Sequence, residues 1–157
     1  MPSAAPRESA TAEVLDLLRT VEVVRRFLAR VVEPQGITLQ QFNVLRILRG
    51  AERASPPIGL PTLDIAERMV ERAPGITRLL DRLEAKGLAV RKRCPEDRRQ
   101  VLCRITAAGL ALLARLDGPM AQADSDCLGM LSAADLRTLT ALLGAIRTGH
   151  AALSPEP

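Results

Sequence analysis

The sequence predicts a mainly α-helical fold with one small β-hairpin, and three observations carry that expectation. Apolar residues recur at intervals of three and four over most of the chain, the interval drops to two only between residues 88 and 105, and Pro and Gly punctuate the helical runs at short range. A length of 157 residues is that of one ordinary domain, and an apolar fraction of 47% with 25% charged residues suffices for a single core rather than a disordered chain.

The elements follow in order. Val14, Leu17, Leu18, Val21, Val24, Leu28 and Val31 form a helical stripe that Pro34 and Gly36 end. Thr38 followed by Gln41 is a capping box, and the helix it opens carries Phe42, Leu45 and Leu48 and is expected to stop at Gly50. Residues 51–60, with Pro56, Pro57 and Gly59, read as a loop, after which Thr62 caps a short helix through Ile65, Ala66 and Met69. Another helix is expected to start at Pro74, whose missing amide costs nothing in the first helical position. It turns Ile76, Leu80 and Leu83 inward and ends at Gly87.

From residue 88 the alternation points Leu88 and Val90 inward on one strand and Val101, Cys103 and Ile105 inward on the other, with Arg91, Arg93 and Arg104 outward. Pro95 and Asp97 form the turn, so the tip of this two-stranded hairpin presents Arg98 and Arg99. Thr106 caps a long helix through Leu110, Leu113 and Leu116, with a bend expected at Gly118 and Pro119. Ser132 starts a last helix bearing Leu136, Leu139, Leu142, Leu143 and Ile146. The polar, Pro-containing residues 1–10 and 154–157 are expected to fray.

Several classes of function are excluded by what is missing. The sole histidine is His150, and the chain offers no Ser/His/Asp set, glycine-rich phosphate loop or zinc-ligand cluster, so neither an enzyme nor a metal or cofactor protein is expected. Cys94, Cys103 and Cys127 are odd in number and lack CxxC spacing, which argues against a disulfide scaffold. Trp and Tyr are absent and Phe occurs only at Phe27 and Phe42, so a base-stacking surface for single strands is not expected. No apolar run is long enough for a membrane span or a signal-peptide core, which places the protein in the cytoplasm, away from membranes.

The positive charge is concentrated. Between Glu67 and Arg104 lie eleven basic and six acidic residues, a net of +5, whereas the whole chain carries +4. One internal segment therefore accounts for the basic character of the protein, which is the electrostatic footprint of a nucleic-acid binder; a solvated surface face is the alternative. Two short helices joined tightly, the second basic on its outer face, followed by a hairpin with arginines at its tip, form the layout of a winged helix-turn-helix. Such a helix fits the major groove of duplex DNA, while the hairpin tip reaches the neighbouring backbone or minor groove.

The segment ITRLLDRLEAKGLAVRKRCPEDRRQVLCRITAAG, from Ile76 to Gly109, resembles the signature region of MarR-type transcriptional regulators. It combines the end of a recognition helix, the LEAKGL turn, the DRR wing tip and the ITAAG opening of the next helix, and the resemblance extends more loosely over residues 12–148. It implies a winged helix DNA-binding region over residues 37–106, with flanking dimerisation helices at 11–36 and 107–149 and tails at 1–10 and 150–157. It also implies a homodimer on a pseudo-palindromic operator in double-stranded DNA, acting as a repressor, and a small lipophilic or anionic effector bound between the two regions. Pairing across a two-fold axis would bury the stripes of the first and last helices, which an intramolecular bundle would also do.

On this resemblance Pro74, Gly75, Thr77, Arg78 and Arg82 occupy the end and outer face of the recognition helix, where family members contact bases and phosphates. Arg78 is the expected base reader, through a bidentate contact to guanine. Arg82 either meets a phosphate or pairs with Asp81 or Glu84. At the wing Asp97 is expected to orient Arg99 and leave Arg98 nearest the DNA, or with those two roles exchanged. Cys94, beside Lys92, Arg93 and Arg98, is the one cysteine placed for a lowered pKa, so a thiol-based oxidant sensor is a second reading, and Cys103 reads as a buried small hydrophobe. A protein-interaction module that has lost DNA binding is a third, and the retained arginines argue against it.

Overall fold

The computed structural model describes residues 10–53, 59–70, 75–93 and 101–153. Its elements run α1 (Ala10–Val32), a short 3-10 turn (Glu33–Gln35), α2 (Leu39–Glu52), β1 (Leu60–Pro61), α3 (Thr62–Arg68), α4 (Ile76–Ala85), β2 (Ala89–Arg93), β3 (Val101–Ile105), α5 (Ala107–Leu128) and α6 (Ala133–Leu153). The fold is mainly α-helical with a small antiparallel sheet in the order β1-β3-β2. The apolar stripes of α2, α3 and α4, one face of β3 and the first half of α5 converge on one core. Val32, Phe42, Val44, Leu45, Leu48, Ile65, Leu80, Leu83, Cys103 and Leu113 are among its most deeply buried side chains. Each large apolar side chain removed from water there stabilises the fold by about 1.5–3 kcal/mol, before the entropy of ordering it is subtracted.

Local signals hold where they satisfy backbone groups. Gly36, at φ 74, follows the 3-10 turn that ends α1. Thr38 accepts the Gln41 amide at 3.2 Å, while the Gln41 side chain accepts the Thr38 amide at 3.1 Å. Gln41 is the one buried polar residue among the described side chains, and this reciprocity keeps it satisfied. At the end of α4, Gly87 sits at φ 67 while its amide and that of Leu88 return to the carbonyls of Glu84 and Leu83, a Schellman closure. Ser132 and Asp135 close the start of α6 by exchanging bonds through the Ser132 hydroxyl and the Asp135 carboxylate, which holds that carboxyl below its usual range.

Thr106 joins three elements. Its hydroxyl accepts the Gly109 amide at 3.1 Å and donates to the Gly87 carbonyl at 2.7 Å, and its amide donates to the Leu88 carbonyl at 3.1 Å. Gly109 packs so closely here that a Cβ would lie 2.4 Å from the Leu88 carbonyl oxygen. The head of α5 is thereby tied to the turn that ends α4. Lys86 adds a tie from that turn to the Gly36 carbonyl before α2.

Several expectations are corrected. α2 continues past Gly50 to Glu52, because nothing at that exposed glycine forces the helix to break. The end of the stretch read as a loop is strand β1, pairing Leu60 with Cys103 and Pro61 with Leu102, so the sheet has three strands rather than two. Pro61, not Thr62, precedes α3, and no side chain caps that helix. α4 begins at Ile76 with Gly75 at its N-cap, two residues later than expected. α6 runs to Leu153, past residue 149 where the helical region was expected to end, while α5 holds Pro119 inside one continuous helix.

The alternation in β2 is also shifted by one residue. Ala89, opposite Ile105, is buried, whereas Val90 pairs with Arg104 on the other face and Val101 is 41% exposed. Arg91, expected outward, is opposite Cys103 and lies on the face turned toward α4. Leu88 belongs to the turn, and its hydrogen bonds to Leu83 and Thr106 fix it there before the strand begins.

Candidate nucleic-acid interface

α4 positions the functional side chains because Leu79, Leu80 and Leu83 anchor one face in the core, with Ile76 packed at its edge. The opposite face must point outward: Thr77, Arg78 and Arg82 are all exposed. Arg78 and Arg82 are four residues apart, one turn along the same side of the helix. No described residue pairs with either guanidinium, because the two carboxylates expected to neutralise Arg82 are engaged elsewhere. Asp81 and Glu84 both turn to Arg91, at 2.5 and 3.3 Å. The face therefore presents two cations while its neighbouring anions are already paired.

Gly75 adopts φ 108 at the cap of α4, a region that L side chains rarely occupy, with nothing within 4 Å of the position a Cβ would take. The missing Cβ lets the backbone take this conformation at the helix cap. Pro74, Cys94, Asp97, Arg98 and Arg99 lie outside the described residues. β2 leads toward that segment and exposes Lys92 and Arg93 at its end. Cys103 is buried, as read from the sequence, with its sulfur 4.0 Å from the Thr62 hydroxyl.

Sequence reasoning missed Arg91. Its Nη1 donates to Asp81 and Glu84, its Nη2 donates to the Thr77 carbonyl at 3.0 Å, and its own amide donates to Glu84 at 3.2 Å. The hydrogen bond to Asp81 raises its pKa above the ordinary arginine value, against the opposing effect of partial burial. The signal that could have found it is the pair Asp81 and Glu84 on one side of a helix immediately followed by a strand rich in arginine. Among the described residues no group of three or more His, Cys, Asp or Glu is placed to hold a metal ion. No single described helix is long and apolar enough to cross a membrane.

Comparison with known proteins agrees with this geometry. The sequence model of the MarR family matches residues 37–101, the stretch from the turn before α2 to the start of β3. A transcriptional regulatory protein named for the hcr operon of Thauera aromatica is 30% identical over 123 residues, covering 78% of this chain and 70% of the relative. The crystal structure of a MarR transcription factor from Planctomyces limnophilus is 36% identical and superposes with a TM-score of 0.65 over 92% of this chain and 98% of the other. A single-residue mutant of MarR from E. coli, solved in complex with operator DNA, is 27% identical, with a TM-score of 0.73 over 88% of this chain and 99% of its own. The chain belongs to the MarR family of DNA-binding transcriptional regulators.

Proposed function

We propose that this protein is a homodimeric repressor that reads a pseudo-palindromic operator in double-stranded DNA through α4 and the wing that follows it. The observation that carries the reading is the pair Arg78 and Arg82, exposed one turn apart on a helix whose carboxylates are both taken by Arg91. Arg78 reads a base edge, Arg82 meets a phosphate, Thr77 and the chain at Pro74 and Gly75 approach the backbone, and Arg98 and Arg99, steadied by Asp97, reach the adjacent groove. The relative solved on operator DNA supports this placement by likeness of fold and sequence.

The dimer is supported by apolar surface that one chain leaves uncovered. Val14, Leu15, Leu18, Val21 and Val23 on α1 and Leu142 and Ile146 on α6 are exposed, Leu18 by 61% and Leu142 by 59%. α6 turns away from α5 by 94°, and none of its described side chains is fully buried. A second copy would cover both helices and place two copies of α4 for two half-sites. A small lipophilic or anionic effector would act by binding one spacing of those helices better than another, and the cleft between α1 and the head of α2, lined by Arg26, Ala29, Thr38 and Leu39 among others, is its proposed place in the cytoplasmic protein.

The test is a salt titration of binding to duplex DNA from the protein's own upstream region against a scrambled duplex. Two chains per site and a preference of about a thousandfold or more support the reading. Equal and weak binding to both duplexes overturns it for that DNA, and a duplex selected from a random pool by the protein then decides whether any sequence is preferred.

A further inference from the structure

Arg91 stands at the seam between the helix proposed to read DNA and the strand that leads to the wing. It belongs to β2, yet among the described residues every side-chain bond it makes goes to α4: to the Asp81 carboxylate at 2.5 Å, the Glu84 carboxylate at 3.3 Å and the Thr77 carbonyl at 3.0 Å. These three acceptors span two turns of the helix, so one guanidinium fixes both the rotation of α4 about its axis and its distance from the sheet. A point charge could not do this, whereas the planar fork of arginine can. The side chain is 24% exposed, which leaves little of it free for a DNA phosphate.

We propose that Arg91 is a positioning residue: by clamping Asp81, Glu84 and Thr77 it holds α4 at a fixed angle to the wing, so that helix and wing tip enter adjacent grooves together. The inference rests on the proposed reading of DNA by α4. It assigns the acidic residues of a DNA-facing helix a role that charge alone would contradict. Asp81 and Glu84 repel phosphate, so by electrostatics their removal should strengthen binding; as anchors of Arg91 they are required for discrimination between sequences.

The opposite signs make the test. The full-length protein selects a preferred duplex from a random-sequence pool, and affinities for this and a scrambled duplex are measured for wild type, Asp81→Ala, the Asp81→Ala/Glu84→Ala double variant, Arg91→Gln and Arg91→Lys, with thermal midpoints alongside. Alanine is a good helix former and Asp81 is exposed, so the helix itself is retained in the carboxylate variants. The expected result is a fall of tenfold or more in the preference for the selected duplex in the double variant and in Arg91→Gln, with unchanged or stronger binding to scrambled DNA in the double variant. Arg91→Lys keeps the charge without the fork and should resemble Arg91→Gln. Tighter binding with intact preference in the double variant, or an intact preference in Arg91→Lys, overturns the inference while leaving the DNA-reading function standing. Equal binding of both duplexes by wild type overturns both.

Discussion

Arg49 and Asp117 face each other across the boundary between α2 and α5, two guanidinium nitrogens on two carboxylate oxygens at 2.8 and 2.9 Å. The pair joins the helix that supports the DNA-binding core to the helix that leads into the proposed dimer interface. Arg49, assisted by Arg53 and Arg46, holds the Asp117 carboxyl below its ordinary value of 3.8. A depressed carboxylate pKa contributes stability that is full above the unfolded-state value and is lost as pH falls through the folded-state value. Asp117 is half-exposed, so the contribution is discounted for solvent to about 1 kcal/mol or less. In urea unfolding, Asp117→Asn should be slightly less stable than wild type by a constant margin from pH 7 to pH 5, and the margin should close only below about pH 4. A margin that persists into acid would show that packing, not charge, joins the helices.

The two glycines Gly109 and Gly50 should respond to alanine in opposite directions. At Gly109 a Cβ would meet the Leu88 carbonyl oxygen at 2.4 Å and Ile105 at 2.6 Å, and the Leu88 carbonyl cannot retreat without losing its bond from Thr106. Gly109→Ala should therefore destabilise by about 1–3 kcal/mol, as overpacking of a rigid site does. Gly50 lies inside α2 with nothing within 4 Å, so Gly50→Ala should stabilise by about 0.5–1 kcal/mol through backbone entropy. Thermal midpoints shifted by a few degrees, down in the first and up in the second, are the expected readout.

Helix existence was legible in the sequence because each helix needs only an apolar stripe and local terminators, and Thr38, Gly36, Gly87 and Thr106 supply those within a few residues. What could not be read depends on partners distant in the chain. β1 has two residues, and only the pairing of Leu60 with Cys103, far along the sequence, makes it a strand. The phase of β2 was misread because inward-facing was equated with apolar. Arg91 occupies an inward-facing position since Asp81, Glu84 and the Thr77 carbonyl wait for it there. The same pairing removes the neutralising partners once expected for Arg82, so the candidate interface follows from a contact between a helix and the strand after it, which the periodicity of neither element alone encodes.

Leu142 and Ile146 are one turn apart on α6 and exposed by 59% and 46%, a surface that a single chain gains nothing by showing to water. If a second copy covers it, Leu142→Glu should turn the dimer into a monomer in sedimentation equilibrium with little change in helix content, because the position contributes nothing to the core of one chain. Binding to a two-half-site duplex should fall by on the order of a hundredfold or more, since the second half-site then loses its tethered partner. A variant that remains dimeric would place the interface elsewhere, with the exposed valines and leucines of α1 as the next surface to charge.

Arg78 and Arg82 should separate into two kinds of contact although they share one face of α4. An arginine that grips a phosphate neutralises one charge without regard to sequence, so Arg82→Gln should weaken binding to every duplex alike and make the slope of log affinity against log salt shallower by about one. An arginine that holds a guanine edge contributes discrimination of about 1–3 kcal/mol at one base pair, so Arg78→Gln should relax preference at that position in each half-site and leave most other positions unchanged. Neither guanidinium has a partner among the described residues, so each variant removes an outward contact without stranding a buried charge, and thermal midpoints should stay near wild type. Selection from a random pool with each variant, followed by salt titrations on the selected duplex, resolves the two. If both variants lose affinity uniformly and keep the wild-type sequence preference, α4 grips the backbone at both positions, and readout must come from Thr77, the N-terminal end of the helix or the wing.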